Sequence, residues 1–375
     1  MVDWVARAGE AREAIAPLAE KIEAARRMPR EAVDVLARSG AFKLLVPADL
    51  GGADADASTY AAVLEEIARG DGSAGWCAMI GATSGLMSRF VPFELAKEIY
   101  GPEGAVTSGV FAPMGRGVAA EGGYRVSGRW PFGSGCEHAS YRMGGGIVPG
   151  ETLPSGAPDV RSFLFRADET KVIDTWSTSG LCGTGSHDVE VTDVFVPKER
   201  TFSLLSGTPR GESLPFFGLL AAGVAAVGLG IARSALDHAL DVARNKKPMG
   251  AQRTIANRES VQLEIAHAEA ALGSARAYLH EMLVKATDER RTDGTISVRG
   301  RALVRLASCH AATEAADVTT AAWRLVGGAA IYTKSPMQRL FRDAHVVTQH
   351  VMVQPVVATT AGRVLCGLET DTTTL

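Results

Sequence analysis

The chain lacks most of the features that would announce a metal, a nucleic acid or an export route. Its five cysteines, Cys77, Cys136, Cys182, Cys309 and Cys366, show neither metal-ligand spacing nor a disulfide framework, which fits a reducing cytoplasm. No His-Glu-x-x-His word or Cys/His cluster is present, so no metal is expected. Basic and acidic residues nearly balance, 39 against 42, and no long basic run exists to track a phosphate backbone. Nucleic acid is therefore not an expected partner. The first residues include Asp3, Arg7, Glu10 and Arg12 rather than a basic stretch followed by an apolar one, which argues against a secretory signal. Residues 219–232 are apolar, but Arg233 and Asp237 follow too soon for a membrane span, so a buried bundle helix is expected there. The glycines at 144–146 and 183–185 lack the strand-turn-helix spacing of a dinucleotide fingerprint, which disfavours a primary NAD(P) site.

What is present is a large supply of apolar residues, 46% of 375, enough for two or three packed units. Ile15, Leu18 and Ile22, then Val33, Leu36 and Phe42, recur at helical spacing, and residues 1–103 read as a helical domain. Alternation at 124–127 and 162–165, with Val189, Val191, Val194 and Val196, marks residues 104–210 as a small β domain, with 149–158 as a surface loop. Helical patterns return at 219–244, 258–287, 298–326 and 337–368, giving a four-helix bundle over residues 211–375. The fold class is α+β.

Four words sit on this order of domains: Asp71-Gly-Ser-Ala-Gly-Trp76, Gly128-Arg-Trp-Pro-Phe-Gly-Ser-Gly135, Gly180-Leu-Cys-Gly-Thr-Gly-Ser186, and Arg342-Asp343-Ala344 ahead of His350. Together they resemble the flavin-dependent monooxygenase branch of the acyl-CoA dehydrogenase superfamily, over nearly the whole chain. The resemblance implies an acyl-CoA dehydrogenase-like fold and the oxygenase half of a two-component system. A separate NAD(P)H-dependent reductase would supply FMNH2 or FADH2, without a stable complex being required. The oxygenase would then pass one atom of O2 to a small organic substrate. It also implies a homotetramer, for which the small-residue face through Ala221, Ala222, Ala225, Gly228 and Gly230 offers a means of close helix approach between chains.

The same resemblance names cofactor contacts. Trp130 and Phe132 are expected to set aromatic rings against the flavin, with Ser134 at its polar edge near N5; the alternative is a β-domain core with Ser134 capping a turn. Thr107 and Ser108 match a strand end that offers small groups to the flavin. Gly183, Thr184 and Ser186 can bring backbone N–H groups and hydroxyls to ring oxygens or phosphate, or simply make a turn. Gly327 and Gly328 suit either a neighbouring chain's cofactor tail or a helix stop. Arg339 and Arg342 suit phosphate, or pairing with Asp343 and nearby acids.

Catalytic expectations centre on His350, with Ser134 and Ser84. His350 matches the family histidine, and an imidazole titrating near neutral pH can manage protons there; its rival is His345. Ser84 stands where phenol-hydroxylating members carry a histidine, and a hydroxyl is a poor base. An acyl-CoA dehydrogenase, the alternative reading, needs a carboxylate base. None stands near His350 or at residues 215–217, which leaves Glu212 as the remaining candidate. A third reading is an inactive oligomeric binding protein that keeps the fold.

Overall fold

The computed structural model describes residues 2–153, 156–211 and 214–375. The chain opens with helices α1 (Trp4–Ile15), α2 (Ala19–Ala25), α3 (Arg30–Ser39), α4 (Ala57–Gly70), α5 (Gly72–Gly85) and α6 (Phe93–Tyr100). Short side-chain oxygens start three of them: Asp3 accepts the Ala6 N–H at 3.0 Å, Asp56 the Thr59 N–H at 2.8 Å and Asp71 the Ala74 N–H at 2.9 Å. Asp71 thus explains the first letter of its word, as the cap of α5.

Among the described residues seven strands follow: β1 (Thr107–Ala120), β2 (Gly123–Trp130), β3 (Tyr141–Thr152), β4 (Pro158–Arg166), β5 (Lys171–Ile173), β6 (Asp188–Pro197) and β7 (Thr201–Ser203). They form one sheet in the order β5-β6-β2-β1-β3-β4-β7, in which β1 and β3 are parallel and the other neighbours antiparallel. The alternating segments read from the sequence become β2, β4 and β6. The expected loop at 149–158 is shorter than its sequence suggests, because β3 runs to Thr152 and β4 begins at Pro158; residues 154 and 155 lie outside the described residues.

The remaining helices are α7 (Phe216–Asn245), α8 (Glu259–Asp293), α9 (Val298–Val326), α10 (Pro336–Val347) and α11 (Pro355–Leu365). The fourth expected helix, 337–368, is two helices, since turns at 348–354 break it and Pro355 opens α11. His350 therefore sits on a turn and not within a helix. Helix α7 is long and apolar enough to cross a membrane, yet most of that stretch is buried against α4, α5, α9 and α10, as a core helix.

The small-residue face of α7 is spent inside the chain. A Cβ on Gly223 would lie 2.1 Å from the Tyr60 hydroxyl, and one on Gly230 would lie 2.3 Å from the Glu65 carbonyl. Ala221, Ala222 and Ala225 are fully buried beside them. Gly223 and Gly230 let α4 approach α7 while Gly228 meets α9 and α10, so this face is not the interchain surface expected from sequence.

Candidate active site

Where α5, the sheet, the start of α7 and the α10–α11 turn converge, they enclose a cavity of about 330 Å³. Its lining is mainly apolar: Ile80, Met87, Val110, Phe111, Met143, Phe216, Leu220, Val346 and Val351. Phe132 and Trp176 meet edge to face at its mouth, with centroids 6.2 Å apart. Polar groups enter from two sides, Ser134, Thr184 and Ser186 on one and Thr83, Ser84, Gln349 and His350 on the other. No Asp, Glu, Lys or Arg lines it among the described residues.

The first polar side is a directed relay. Trp76 Nε1–H donates to Ser134 Oγ at 3.0 Å, Ser134 and Ser186 oxygens are 2.6 Å apart, Ser186 and Thr184 oxygens 2.7 Å, and Thr184 donates to the Leu181 carbonyl at 2.8 Å. An indole is donor only and a carbonyl acceptor only. Four contacts are made with four protons only if every hydroxyl points from Trp76 toward Leu181. Ser134 therefore keeps a lone pair and no proton for a cavity occupant.

The loop that carries this relay is under tension and clamped. Leu181 adopts φ +49° and Phe132 φ +63°, a left-handed conformation that is costly for residues with a side chain. Asp343, from α10, accepts the Leu181 N–H at 2.6 Å. The Leu181 carbonyl receives both Thr184 and Trp176 Nε1–H, the latter at 3.1 Å. Arg342 adds bonds to the Ser179 carbonyl and to Glu23. The Arg-Asp-Ala word is thus a clamp on residues 179–181. Burial, and then the charge of nearby Asp71, push the Asp343 carboxyl up to about 7.

On the second side, His350 packs edge-on to Trp76 with centroids 5.4 Å apart. The Met352 N–H donates to Nδ1 at 3.3 Å, so the neutral ring carries its proton on Nε2. Burial, and then the Arg305 cation, push its pKa down to about 4. The expectation of a histidine titrating near neutrality gives way to a neutral Nε2–H donor. His345 points elsewhere, pairing with Thr320 at 3.0 Å.

Most of the other expected contacts fall outside the cavity lining. Trp130 is 1% exposed in the sheet core and donates to the Gly145 carbonyl at 2.7 Å. Its indole fills a slot made by missing side chains, since a Cβ on Gly115, Gly128 or Gly144 would come within 2.5, 2.8 and 2.5 Å of it. Gly183 abuts Ile22, where a Cβ would sit 2.1 Å away. Thr107 and Ser108 are buried at the start of β1, and it is Gly109 that reaches the cavity. Ser84 lines the cavity, but its hydroxyl meets the Thr107 carbonyl at 2.8 Å, the Thr107 hydroxyl at 2.7 Å and the Gly81 carbonyl at 3.0 Å, so its proton is engaged. Arg339 lies 3.9 Å from both Asp71 and Glu23, whose carboxylates take the place expected for phosphate. Gly327, at φ +64°, ends α9, and a Cβ on Gly328 would meet nothing within 4 Å; neither lines the cavity. Glu212, the remaining dehydrogenase base, lies outside the described residues. Sequence reasoning passed over Trp176, Phe111 and Asp343 as site residues. Trp176, four residues ahead of the Gly180–Ser186 word, and Asp343, inside the Arg342–Ala344 word, carry a local signal, whereas Phe111 does not.

A flat, uncharged ring system suits this space. Hydroxyl oxygens face one edge, Trp176, Phe132 and Leu181 offer apolar surface, and the absence of charged lining favours a neutral aromatic over an anion. The isoalloxazine of a flavin has that shape, so the residues present fit it. The comparisons with known proteins agree. The acyl-CoA dehydrogenase N-terminal domain matches residues 6–93 and the C-terminal domain residues 222–355. The chain is similar to indole-3-acetate monooxygenase of Pseudomonas putida, 35% identical over 91% of this chain and 88% of that one. It is 30% identical to the oxygenase component of the FADH2-dependent resorcinol hydroxylase of a Rhizobium species, over 94% and 91%. The crystal structure of 3-HSA hydroxylase from Rhodococcus sp. RHA1 superposes with a TM-score of 0.89 at 27% identity, over 99% of both chains. With fold, cavity and relatives in agreement, this chain belongs to the flavin-dependent monooxygenase branch of the acyl-CoA dehydrogenase family, as an oxygenase component that uses reduced flavin and O2.

Proposed function

We propose that the cavity beside Trp76 is the oxygenation site, and that its substrate is a planar, largely apolar molecule of the size of an indole or a naphthalene. The observation that carries this is the convergence of the hydroxyl relay and a neutral histidine on a space otherwise walled by apolar side chains. The name of the Pseudomonas relative supports an indole-like ring. Ser134, Thr184, Ser186, Trp176 and Phe132 would hold FMNH2 or FADH2. When bound, the reduced flavin supplies two electrons and activates O2, so that one oxygen atom goes to substrate and the other leaves as water.

The chain's own residues do the rest. Ser134 presents its free lone pair to an N–H donor and is itself held by Trp76. His350 offers an Nε2–H to a developing negative charge and stays neutral above about pH 5. Phe111 and Phe216, edge to face at 6.1 Å, help exclude water, without which activated oxygen drains to hydrogen peroxide. Ser84 anchors β1 to α5 and does not act as a base. An acyl-CoA dehydrogenase reading lacks support, since no carboxylate lines the cavity among the described residues.

The reductase need only deliver free reduced flavin. The outer apolar side chains Leu263, Ile331, Tyr332 and Val356, each more than half exposed, favour self-association, and a cytoplasmic homotetramer is the arrangement we propose. Adding chemically reduced flavin, oxygen and indole to the purified chain tests the function. Oxygenated indole with little hydrogen peroxide is expected. Stoichiometric peroxide with indole, naphthalene and their hydroxylated forms would reject the substrate class.

A further inference from the structure

Arg305, on α9, is a charge in an improbable place. The residue is 1% exposed, and no carboxylate lies within 4 Å of it among the described residues. Its Nη1 donates to the Phe217 carbonyl and to the Met352 sulfur, both at 3.0 Å, while Nε has no partner among the described residues. Burying a guanidinium without a counter-ion disfavours folding, and burial pulls its pKa down to about 10. The two bonds it does make lead to the cavity. Phe217 is in the first turn of α7, next to the lining residue Phe216. Met352 is the residue whose N–H holds Nδ1 of His350.

We propose that Arg305 is a positioning residue for His350. From behind the α10–α11 turn its buried guanidinium holds the Met352 side chain, whose backbone N–H orients the ring, and its charge adds to burial in keeping the imidazole neutral with Nε2–H toward the cavity. The groups packed around His350 allow this. Trp76 faces it from α5 and does not titrate, and the Arg305 cation acts on it from α9. No carboxylate lies within 4 Å of His350 to oppose the cation, among the described residues. Arg305 thus lowers stability in exchange for a histidine fixed in one protonation state and one tautomer, a local conflict of the kind that marks functional sites.

The inference rests on the reading of His350 as the proton-handling group of the oxygenation site, so its first test avoids turnover. Histidine labelled with ¹³C at Cε1 is titrated in the flavin-free protein, with the His350 resonance assigned by its loss in His350→Asn. In Arg305→Met the midpoint is expected to rise by about one pH unit, whereas Arg305→Lys, which keeps the charge, leaves it near the wild-type value. The thermal midpoint of Arg305→Met is expected to stay level or rise, because an apolar side chain of similar length replaces an unpaired buried charge. Product formed per flavin oxidised should fall about tenfold or more, with its acid limb moving alongside the His350 midpoint. An unmoved midpoint with a lowered thermal midpoint would make Arg305 an ordinary core residue and overturn the proposal. Arg305→Gln carries the same test if the methionine variant does not fold. Failure of both, with wild-type behaviour in Arg305→Lys, would likewise assign Arg305 to the core. A midpoint that moves in a protein that oxygenates no aromatic compound would support the link to His350 and sink the functional reading instead.

Discussion

Ser134 and His350 divide the polar work of the cavity, and each makes a separable prediction. In Ser134→Ala the Trp76 N–H and the Ser186 hydroxyl lose their shared partner. Reduced-flavin affinity should drop about fivefold, equivalent to about 1 kcal/mol, with a small fall in thermal midpoint; unchanged affinity by anaerobic titration would remove Ser134 from the flavin site. His350→Asn keeps a polar side chain but loses the imidazole, and should raise peroxide release relative to product about tenfold or more. The histidine also leaves a mark on stability. Its folded pKa, about 4, lies below the ordinary 6.5, so its contribution is present above pH 6.5 and is lost as pH falls toward 4. The asparagine variant should therefore lose less stability than the wild type across that window in urea titrations. Parallel curves would mean that the ring is not held neutral.

At the scale of elements, the clamp from α10 onto the 179–181 loop behaves in the opposite sense. The Asp343 carboxyl is raised to about 7, so its contribution is full below its ordinary value near 4 and is lost as pH rises through 7. Asp343→Asn removes that titration and should flatten the stability curve between pH 4 and 8, measured as the difference from wild type. An identical pH slope in the variant would contradict a buried carboxyl whose pKa is raised. In the sheet, Gly144→Ala drives a methyl into the Trp130 ring and should cost about 1–3 kcal/mol without touching flavin affinity directly. How legible these elements are depends on how local their causes are. The alternation of β2 and β4 is written within a few residues and reads correctly, whereas the caps at Asp56 and Asp71, equally local, emerge only with the structure. Strand β1 does not, because its glycines, proline and methionine are shaped for neighbours. Trp130 reads as a flavin contact because the glycines that hold it come from three strands brought together only by pairing. Asp343 meets Leu181 from 162 residues away, and Arg305 meets Met352 from 47, so neither partner can be read from the local pattern, although Asp343 itself stands in a word that marks the site.

For the molecule as a whole, the sheet and the two helical layers meet along one seam, and α5, α7 and α10 each send residues into it. The order of helical, β and helical segments is legible because it depends on periodicity, whereas the seam depends on contacts between segments far apart in sequence. Helix α7 serves as the hub, its small residues turned to α4, α9 and α10 within the chain, so any tetramer must use other surfaces such as the exposed Ile331, Tyr332 and Val356. Light scattering at working concentration should give four times the 39.3 kDa chain mass; a monomer would exclude that assembly. The central claim, that the seam beside Trp76 passes one atom of O2 to a planar apolar substrate, is tested most directly with isotopically labelled oxygen. The chain is loaded anaerobically with FADH2 or FMNH2 and indole, then mixed with ¹⁸O2 and the product weighed by mass spectrometry. One ¹⁸O atom per product molecule, lost in His350→Asn in favour of labelled hydrogen peroxide, is the result expected. Product without label, or bleaching of bound oxidised flavin by an acyl thioester without any reductase, would contradict it.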